Sequence, residues 1–201
     1  MKNIVVAITG ASGSVYGVRL VEELLKQQCT VNVLLSTAGR QVLAHEEGVQ
    51  LSAEPGERLH QLRTVFDADD QLRHYAEDDF FAPVASGSAA PDAMVVVPCS
   101  MGTAGRIAAG LSNTLTERVA DVMLKERRPL LLVPRETPFS TIHLENLLRL
   151  SRAGAQVLPA MPAFYAQPEK VADLVDFVVG KILDALGFDH ELFTRWGDDP
   201  D

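Results

Sequence analysis

Six residues near the start of the chain, Thr9-Gly10-Ala11-Ser12-Gly13-Ser14, constrain its fold more than any other stretch. They follow an apolar run, Ile4–Ile8, and precede apolar residues at helical spacing between Val18 and Leu25. Strand, glycine turn and helix in this order open a nucleotide-binding α/β unit, because the first N–H groups of the helix lack internal partners and favour a phosphate. A strand–helix turn without a ligand has the same pattern, so the turn predicts a phosphate site without establishing one.

The turn lacks the fingerprint of dinucleotide-binding enzymes. Ser12 stands where that fingerprint has a glycine, and the second expected strand ends in Ser36-Thr37 with no acid to bind ribose hydroxyls. The hydroxyls of Ser12 and Ser36 suit a phosphate or a ribityl chain. The sequence therefore favours a mononucleotide over a nicotinamide dinucleotide.

Four further apolar runs indicate strands, and segments of helical spacing alternate with them. The run Ala93–Val97 is continuous, which is typical of a central parallel strand buried on both faces. The alternation predicts an α/β fold with a doubly wound, flavodoxin- or Rossmann-like parallel sheet and helices on both faces, in a single domain over residues 1–201. The other expected strands are 31–35, 129–133 and 157–159, and the expected helices are 14–27, 38–47, one opening at Asn113–Glu117, 141–152 and one from Pro168 to Gly187.

Residues 49–90 show the least regular pattern. Gln61–Phe66 and Leu72–Tyr75 are the short elements expected there, and 82–88 reads as a loop. Long irregular stretches inside a compact domain are usually functional or mobile. We expect this segment to pack across subunits, together with a partly flexible tail over residues 189–201 that is frayed from Asp198.

Charge and composition exclude several classes of protein. The net charge of −9 argues against a nucleic-acid surface. No run of about 18 apolar residues is present, so we expect no membrane span. Two distant cysteines, Cys29 and Cys99, fit a cytoplasmic protein without disulfides. The five histidines show no metal-ligand spacing, and Cys99 has no nearby histidine to activate it, so we interpret it as an inert buried thiol.

Four polar segments follow strands, namely 9–14, 36–37, 98–103 and 134–137. Ligands bind beyond the carboxyl ends of the strands in such folds, so we interpret the four segments as one site. Arg135 and Glu136 follow a strand directly. They either reach this site or form a surface ion pair.

Other candidate residues have an ordinary structural interpretation beside the functional one. Lys125 lies in the charged run Lys125-Glu126-Arg127-Arg128, which is typical of a solvated helix end. Arg118 and Lys181 are most simply exposed helix residues, and Tyr165 a packing residue. Trp196 either docks on its own domain or is buried in a neighbouring subunit.

Taken together, these residues resemble the UbiX-type flavin prenyltransferases over nearly the whole chain. The segments Lys125-Glu126-Arg127-Arg128 and Pro134-Arg135-Glu136-Thr137-Pro138 are the specific ones, and the glycine turn alone is not. The other matching pieces are Thr9–Gly13, Pro98-Cys99-Ser100, Asn113–Leu115, Glu117–Val122, Pro129-Leu130, Ile142–Leu144 and Pro162–Tyr165.

The resemblance implies a fold, a reaction and partners. The family has the flavodoxin-like sheet of the flavin-containing cysteine decarboxylases, binds FMN and usually forms homododecamers. Its members transfer a dimethylallyl group from dimethylallyl monophosphate to N5 and C6 of reduced FMN without a metal. The product serves a UbiD-type decarboxylase, in ubiquinone biosynthesis or in the metabolism of another aromatic acid.

The resemblance also implies roles for residues. Glu136 should lie near flavin N5 and act in catalysis with Ser12 and Lys125, and Arg118 should support the prenyl phosphate. Lys181 stands where many relatives have Arg, and Phe80 where some have Trp. The residues expected to contact FMN are Gly10, Ala11, Ser12, Ser36, Ser100, Met101, Gly102, Thr103 and Arg135; those expected to bind the prenyl substrate are Lys125, Tyr165, Lys181, Arg118, Phe80 and Trp196.

Two alternatives share the fold. A flavin-dependent cysteine decarboxylase would carry a histidine in the first helix and a Pro-x-Met-Asn motif, whereas residues 14–27 contain no histidine and the loop reads Pro98-Cys99-Ser100-Met101. A non-catalytic FMN-binding subunit would not need the second anion site that Lys125, Tyr165 and Lys181 imply.

Overall fold

A computed structural model describes residues 1–197, and the tail predicted to fray from Asp198 lies outside the described residues. The strands are β1 (Asn3–Ile8), β2 (Thr30–Leu35), β3 (Leu72–His74), β4 (Ala93–Cys99), β5 (Leu130–Pro134) and β6 (Gln156–Val157). The helices are α1 (Ser14–Lys26), α2 (Thr37–Glu46), α3 (Pro55–Val65), α4 (Met101–Ala108), α5 (Leu115–Lys125), α6 (Thr141–Arg152) and α7 (Val171–Leu186).

The strands form one parallel sheet in the order β3-β2-β1-β4-β5-β6. The strand order reverses between β1 and β4, and a crevice for ligands opens at the carboxyl ends of strands on either side of such a point. The predicted doubly wound parallel sheet is confirmed. The glycine turn after β1 lies at the reversal.

Side chains of β1 alternate between two apolar cores, one on each face of the sheet. Val6 belongs to the core that contains Leu24 of α1 and Val179 of α7. Val5 belongs to the core that contains residues of α4, α5 and α6, such as Met123. Helices therefore cover both faces, and the polar ends of the strands are left to form a site.

Local signals explain most helix limits. Ser140 accepts a hydrogen bond from the His143 N–H at 3.2 Å and begins α6 at the predicted position. Gly187 ends α7 with φ of 70°, as predicted. The start of α7 lies three residues after Pro168, because the Asp173 carboxylate accepts from the N–H groups of residues 169 and 170 at 2.9 and 3.0 Å.

Residues 49–90 are more regular than the sequence predicted. The expected element at Gln61–Phe66 is the second half of the longer α3, and two short 3-10 turns lie within residues 83–89. Leu62 of α3 and Leu72 of β3 are fully buried in the core of the chain's own sheet. Residues 55–74 therefore also pack within their own chain, and the expectation that the segment packs across subunits stays a prediction.

The segment 98–103 is also not a loop. Pro98 and Cys99 are the last residues of β4, Ser100 caps α4, and α4 itself was not predicted. The edge strand β6 is Gln156–Val157. It begins one residue earlier than expected and is one residue shorter. No helix within residues 1–197 combines the length and apolar character that a membrane span needs.

Candidate functional site

The four predicted segments meet at the carboxyl ends of β1 and β4. Thr9 Oγ1 donates to the Pro98 carbonyl at 2.7 Å and accepts from the Ser100 N–H at 2.8 Å. Arg135 Nε donates to the Ser12 carbonyl at 3.0 Å. Ser36 N donates to the carbonyl of Ile8 at 3.2 Å. The hydrogen bonds hold the segments as one site, as the sequence predicted.

The glycine turn packs closely on the start of α2. A Cβ on Gly10 would lie 2.5 Å from the Cβ of Ala38, so only glycine fits there. Gly13 caps α1 with φ of 105°, in the left-handed region that favours glycine. Both glycines are therefore needed for the backbone path that brings Ser12 under the Arg135 side chain.

A carboxylate that the sequence analysis missed occupies the N-terminus of α1. Glu46 Oε2 accepts from Gly13 N at 2.9 Å, from Ser14 N at 3.0 Å and from Ser14 Oγ at 2.9 Å. Partial burial raises the pKa of Glu46, but the hydrogen bonds from Ser12, Gly13 and Ser14 outweigh this effect and lower the pKa to about 2. Two of the N–H groups at the turn predicted to hold a phosphate are thus already bonded to an anion of the chain.

Helix α2 likewise meets a carboxylate, whereas α4 meets none within residues 1–197. Thr37 N and Oγ1 donate to Glu77 Oε2 at 3.1 and 3.0 Å. Ser100 Oγ accepts from Thr103 N at 3.2 Å, and no described group accepts from the N–H of Met101 or Gly102. Open N–H groups and the helix dipole make the start of α4 the best place in the site for a phosphate.

A cavity of about 510 Å³ lies beside the end of β2. Its wall carries two guanidinium groups, from Arg40 and Arg58, and the Glu77 carboxylate. Thr37 and Asn113 also line it, so it adjoins the predicted FMN residue Ser36.

Arg135 and Glu136 are half-buried and do not pair with one another in the described structure. Arg135 lies beside Tyr16, whose pKa is raised by burial and lowered in part by the guanidinium. Glu136 Oε1 accepts from the N–H of its neighbour Thr137 at 3.1 Å. The surface ion pair that the sequence left open is not formed among the described residues, and the role of Glu136 near flavin N5 stays a prediction.

Tyr165 and Trp196 lie in one aromatic cluster on α7. Their ring centroids are 5.2 Å apart, and Tyr165 also meets Phe177 at 5.8 Å. Asp184 accepts from Arg195 Nη2 at 2.8 Å and thereby fastens the segment before Trp196 to α7. Trp196 therefore contacts its own chain, but the residue is 81% exposed, so burial in a neighbouring subunit stays open as the second alternative.

Lys181 lies one helical turn after Phe177, on the same face of α7. Its Nζ is 3.4 Å from Asp184 Oδ2. Lys181 therefore lies on the same helix face as Phe177 of the aromatic cluster, and its role beside Tyr165 stays a prediction.

Lys125 and Arg118 do not join this group within one chain. Helix α5 starts at the site edge, where Leu115 N donates to the Glu77 carbonyl at 2.7 Å, and runs back over about 15 Å to the start of β5. Lys125, its last residue, lies near the amino ends of the strands, opposite the site, and pairs with Glu126. Arg118 donates to the Ala85 carbonyl at 3.1 Å.

Phe80 is 45% exposed and its neighbour Phe81 fully exposed. They belong to the segment between β3 and β4, whose residue Glu77 lies at the site edge. Phe80 makes no described ring contact with Tyr165 or Trp196.

Comparisons with known proteins identify the family of the chain. A family model described as Flavoprotein matches residues 1–183. The chain is 51% identical to the flavin prenyltransferase UbiX of Pseudomonas aeruginosa, over 98% of this chain and 95% of that protein. It is 47% identical to the flavin prenyltransferase UbiX of Methanocaldococcus jannaschii, over 96% and 98% of the two chains. The chain belongs to the UbiX family of flavin prenyltransferases.

Solved UbiX structures share the fold. AnUbiX (PadA1), in complex with FMN and dimethylallyl pyrophosphate, matches with a TM-score of 0.87 and 39% identity over 99% of both chains. A dodecameric FMN-dependent UbiX-like decarboxylase from Escherichia coli O157:H7 matches with a TM-score of 0.84 and 39% identity, over 96% and 98%. The cysteine decarboxylase TvaF is only 17% identical, with a TM-score of 0.61, so it shares the fold alone.

Cys99 is fully buried, as predicted, and burial raises the pKa of its thiol to about 12. Both features support the interpretation of Cys99 as an inert thiol. Residues 1–197 contain no group of three or more His, Cys, Asp or Glu side chains that could hold a metal ion.

Proposed function

We propose that the protein transfers a dimethylallyl group from dimethylallyl monophosphate to reduced FMN, at N5 and C6, and that a UbiD-type decarboxylase receives the product. The observation that carries this proposal is the 51% identity to a flavin prenyltransferase over nearly the whole chain. A neighbour with a TM-score of 0.87 was solved with FMN and dimethylallyl pyrophosphate, which fits both proposed reactants.

The residues at the strand ends fit FMN. The N–H groups of Met101 and Gly102 at the start of α4 suit its phosphate, because Glu46 and Glu77 bond the starts of α1 and α2. The Arg135 guanidinium adds positive charge beside Ser12. Reduced FMN supplies the nucleophilic N5 and C6 positions when bound. The glycine turn lets the backbone approach it closely.

The prenyl phosphate needs a second cationic group, for which we propose Lys125, Tyr165 and Lys181 with support from Arg118. Tyr165 and Lys181 lie on one side of α7, whereas Lys125 lies near the amino ends of the strands. We infer that Lys125 reaches this phosphate from a neighbouring copy of the chain. The proposed site is therefore complete only in an oligomer.

Exposed apolar residues support an oligomer, for which we propose a homododecamer. Helix α6 exposes Ile142, Leu144 and Leu148, and Phe81 protrudes from the segment before β4. Exposed patches of this kind mark interaction surfaces. A similar UbiX-like protein from Escherichia coli O157:H7 was solved as a dodecamer.

We also propose that residues 1–201 form a single flavoprotein domain that works in the cytoplasm. The single sheet with one core on each face supports one domain. The net charge of −9 and two free buried cysteines fit a reducing compartment.

The test is an anaerobic reaction of the purified protein with reduced FMN and either dimethylallyl monophosphate or diphosphate. We expect a flavin heavier by one dimethylallyl unit and with a changed absorbance spectrum, formed equally well in the presence of EDTA. Bound FMN without this product would favour the non-catalytic alternative. Decarboxylation of a peptide with a carboxyl-terminal cysteine would favour the cysteine decarboxylase.

A further inference from the structure

A chain of hydrogen bonds leads from a buried carboxylate to the start of α4. The Glu117 side chain is 1% exposed, and its Oε1 accepts from Arg106 Nε at 2.5 Å. Its Oε2 accepts from Asn113 N at 2.7 Å. A buried carboxylate is costly unless it is paired and hydrogen-bonded, so Glu117 holds the Arg106 guanidinium in one orientation.

The other end of this guanidinium reaches the first turn of α4. Arg106 Nη2 donates to Thr103 Oγ1 at 3.1 Å. A Cβ on Gly102 would lie 3.4 Å from Arg106 Nη1, so the guanidinium lies directly beside Gly102. Arg106 thus bridges Glu117 and Thr103 with two different nitrogens, which its planar fork permits.

Thr103 Oγ1 accepts a second hydrogen bond, from Ser100. Ser100 Oγ donates to the same Thr103 oxygen at 3.0 Å, while it accepts from Thr103 N at 3.2 Å. A hydroxyl oxygen accepts two hydrogen bonds, so Thr103 Oγ1 is saturated as an acceptor and its own hydrogen must be donated. Thr103 is 3% exposed, and no described group accepts that hydrogen.

We propose that Arg106 is a positioning residue: it bridges Glu117 and Thr103 so that Ser100 donates to Thr103 and Thr103 donates to an acceptor oxygen of FMN at the start of α4. The guanidinium holds the Thr103 hydroxyl in the orientation that accepts from Ser100. Without it the hydroxyl can turn and donate to Ser100, and the outgoing hydrogen bond is lost. This inference rests on the proposed function, because it takes FMN as the ligand of that site.

The test compares FMN dissociation constants, by flavin fluorescence, and melting temperatures of variants. Arg106→Ala should weaken FMN binding about three- to tenfold, the effect of one hydrogen bond. Arg106→Lys keeps a cation for Glu117 and cannot bridge, so it should recover melting temperature and not FMN affinity. Arg149→Ala, which removes an exposed arginine of α6, is the matched control and should change neither.

Thr103→Val removes the hydroxyl at similar shape and tests the route. If Arg106 acts through Thr103, a double variant with both Arg106→Ala and Thr103→Val should bind FMN no more weakly than Thr103→Val alone. Losses that multiply in the double variant, or an Arg106→Lys variant that binds FMN like the wild type, would overturn the proposal. Should Arg106→Ala not fold, Arg106→Lys and Thr103→Val still decide it.

The two proposals fail differently. A wild-type protein that binds no FMN overturns the proposed function and this inference with it. A wild-type protein that binds FMN and forms product, beside an Arg106→Ala variant of unchanged affinity, overturns only the positioning role.

Discussion

Glu46, the last residue of α2, accepts two hydrogen bonds from Ser14, the first residue of α1. The donors are the Ser14 backbone N–H at 3.0 Å and the Ser14 hydroxyl at 2.9 Å. A carboxylate at a helix N-terminus is stabilising, because it meets unpaired donors and the positive end of the dipole. The glycine turn is thus held from outside by a residue 32 positions away in sequence.

The first prediction concerns acid stability. The pKa of Glu46 is lowered from 4.5 to about 2. A depressed carboxyl pKa gives stability that is present above the unfolded value and is lost as pH falls through the folded value. The wild type should therefore lose melting temperature between pH 4.5 and about 2, and Glu46→Gln should flatten that part of the curve.

Glu47→Gln is the matched control, because partial burial and Glu46 raise the pKa of Glu47. This neighbour should leave the loss of stability in acid in place. A Glu46→Gln variant that shows the same loss as the wild type would mean that another carboxylate causes it.

The second prediction concerns His74, which is buried beside Arg58. Its Nδ1 lies 2.8 Å from the Val33 carbonyl and therefore carries the hydrogen, so Nε2 accepts from Arg58 Nη1 at 3.1 Å. Burial, helped by the nearby Arg58 and Arg40, lowers the pKa of His74 from 6.5 to about 4, although the hydrogen bond to Val33 acts in the opposite direction. The unfolded chain binds the proton more readily, so stability should fall as pH drops from 6.5 to about 4.

The measurement is again melting temperature against pH. His74→Gln removes the titrating ring and should abolish the loss between pH 6.5 and 4.5 while keeping the loss below it that we assign to Glu46. His60→Gln, on the exposed face of α3, is the control. An unchanged His74→Gln curve would contradict the prediction.

The third prediction separates the two anion sites. Lys181→Ala should weaken use of the prenyl substrate about ten- to hundredfold, because a hydrogen bond to a charged group contributes about 1.5–3 kcal/mol. FMN affinity should change little, since Lys181 lies on α7 and not at the start of α4. Lys170→Ala at the start of the same helix is the control. Equal losses for both ligands would show that the lysine is assigned to the wrong site.

The fourth prediction concerns Lys125 and the oligomer. If Lys125 serves a neighbouring copy, Lys125→Ala and Lys181→Ala subunits should each be poorly active alone and regain activity in mixed oligomers. Mixing leaves some interfaces with both lysines, one from each chain. Activity that stays at the level of the separate variants after co-refolding would place both lysines in one chain's site.

Local patterns predicted the sheet well, and the errors arise where the evidence is not local. Helix α4 was missed because Gly102 and Gly105 lower its helix propensity, and it is stabilised by the Ser100 cap and by packing. The contact between Glu46 and Ser14 leaves no spacing signal in sequence. The sequence motif around Lys125 was recognised, but its position near the amino ends of the strands follows only from the direction of α5.

The last prediction concerns Glu136 and proton transfer. Its carboxylate follows β5 at the site edge, is half-buried and bonds only its neighbour Thr137 among the described groups, so it can accept a proton from a ligand. Forming the second bond of the proposed reaction releases the proton of flavin C6, and we propose that Glu136 takes it. Glu136→Gln keeps the shape and removes the base, so turnover should fall by about 10²–10⁴ with FMN affinity unchanged. Glu145→Gln, on the exposed face of α6, should react at the wild-type rate. If Glu136→Gln also forms product at that rate, the carboxylate has a structural role and the released phosphate is the better candidate for the base.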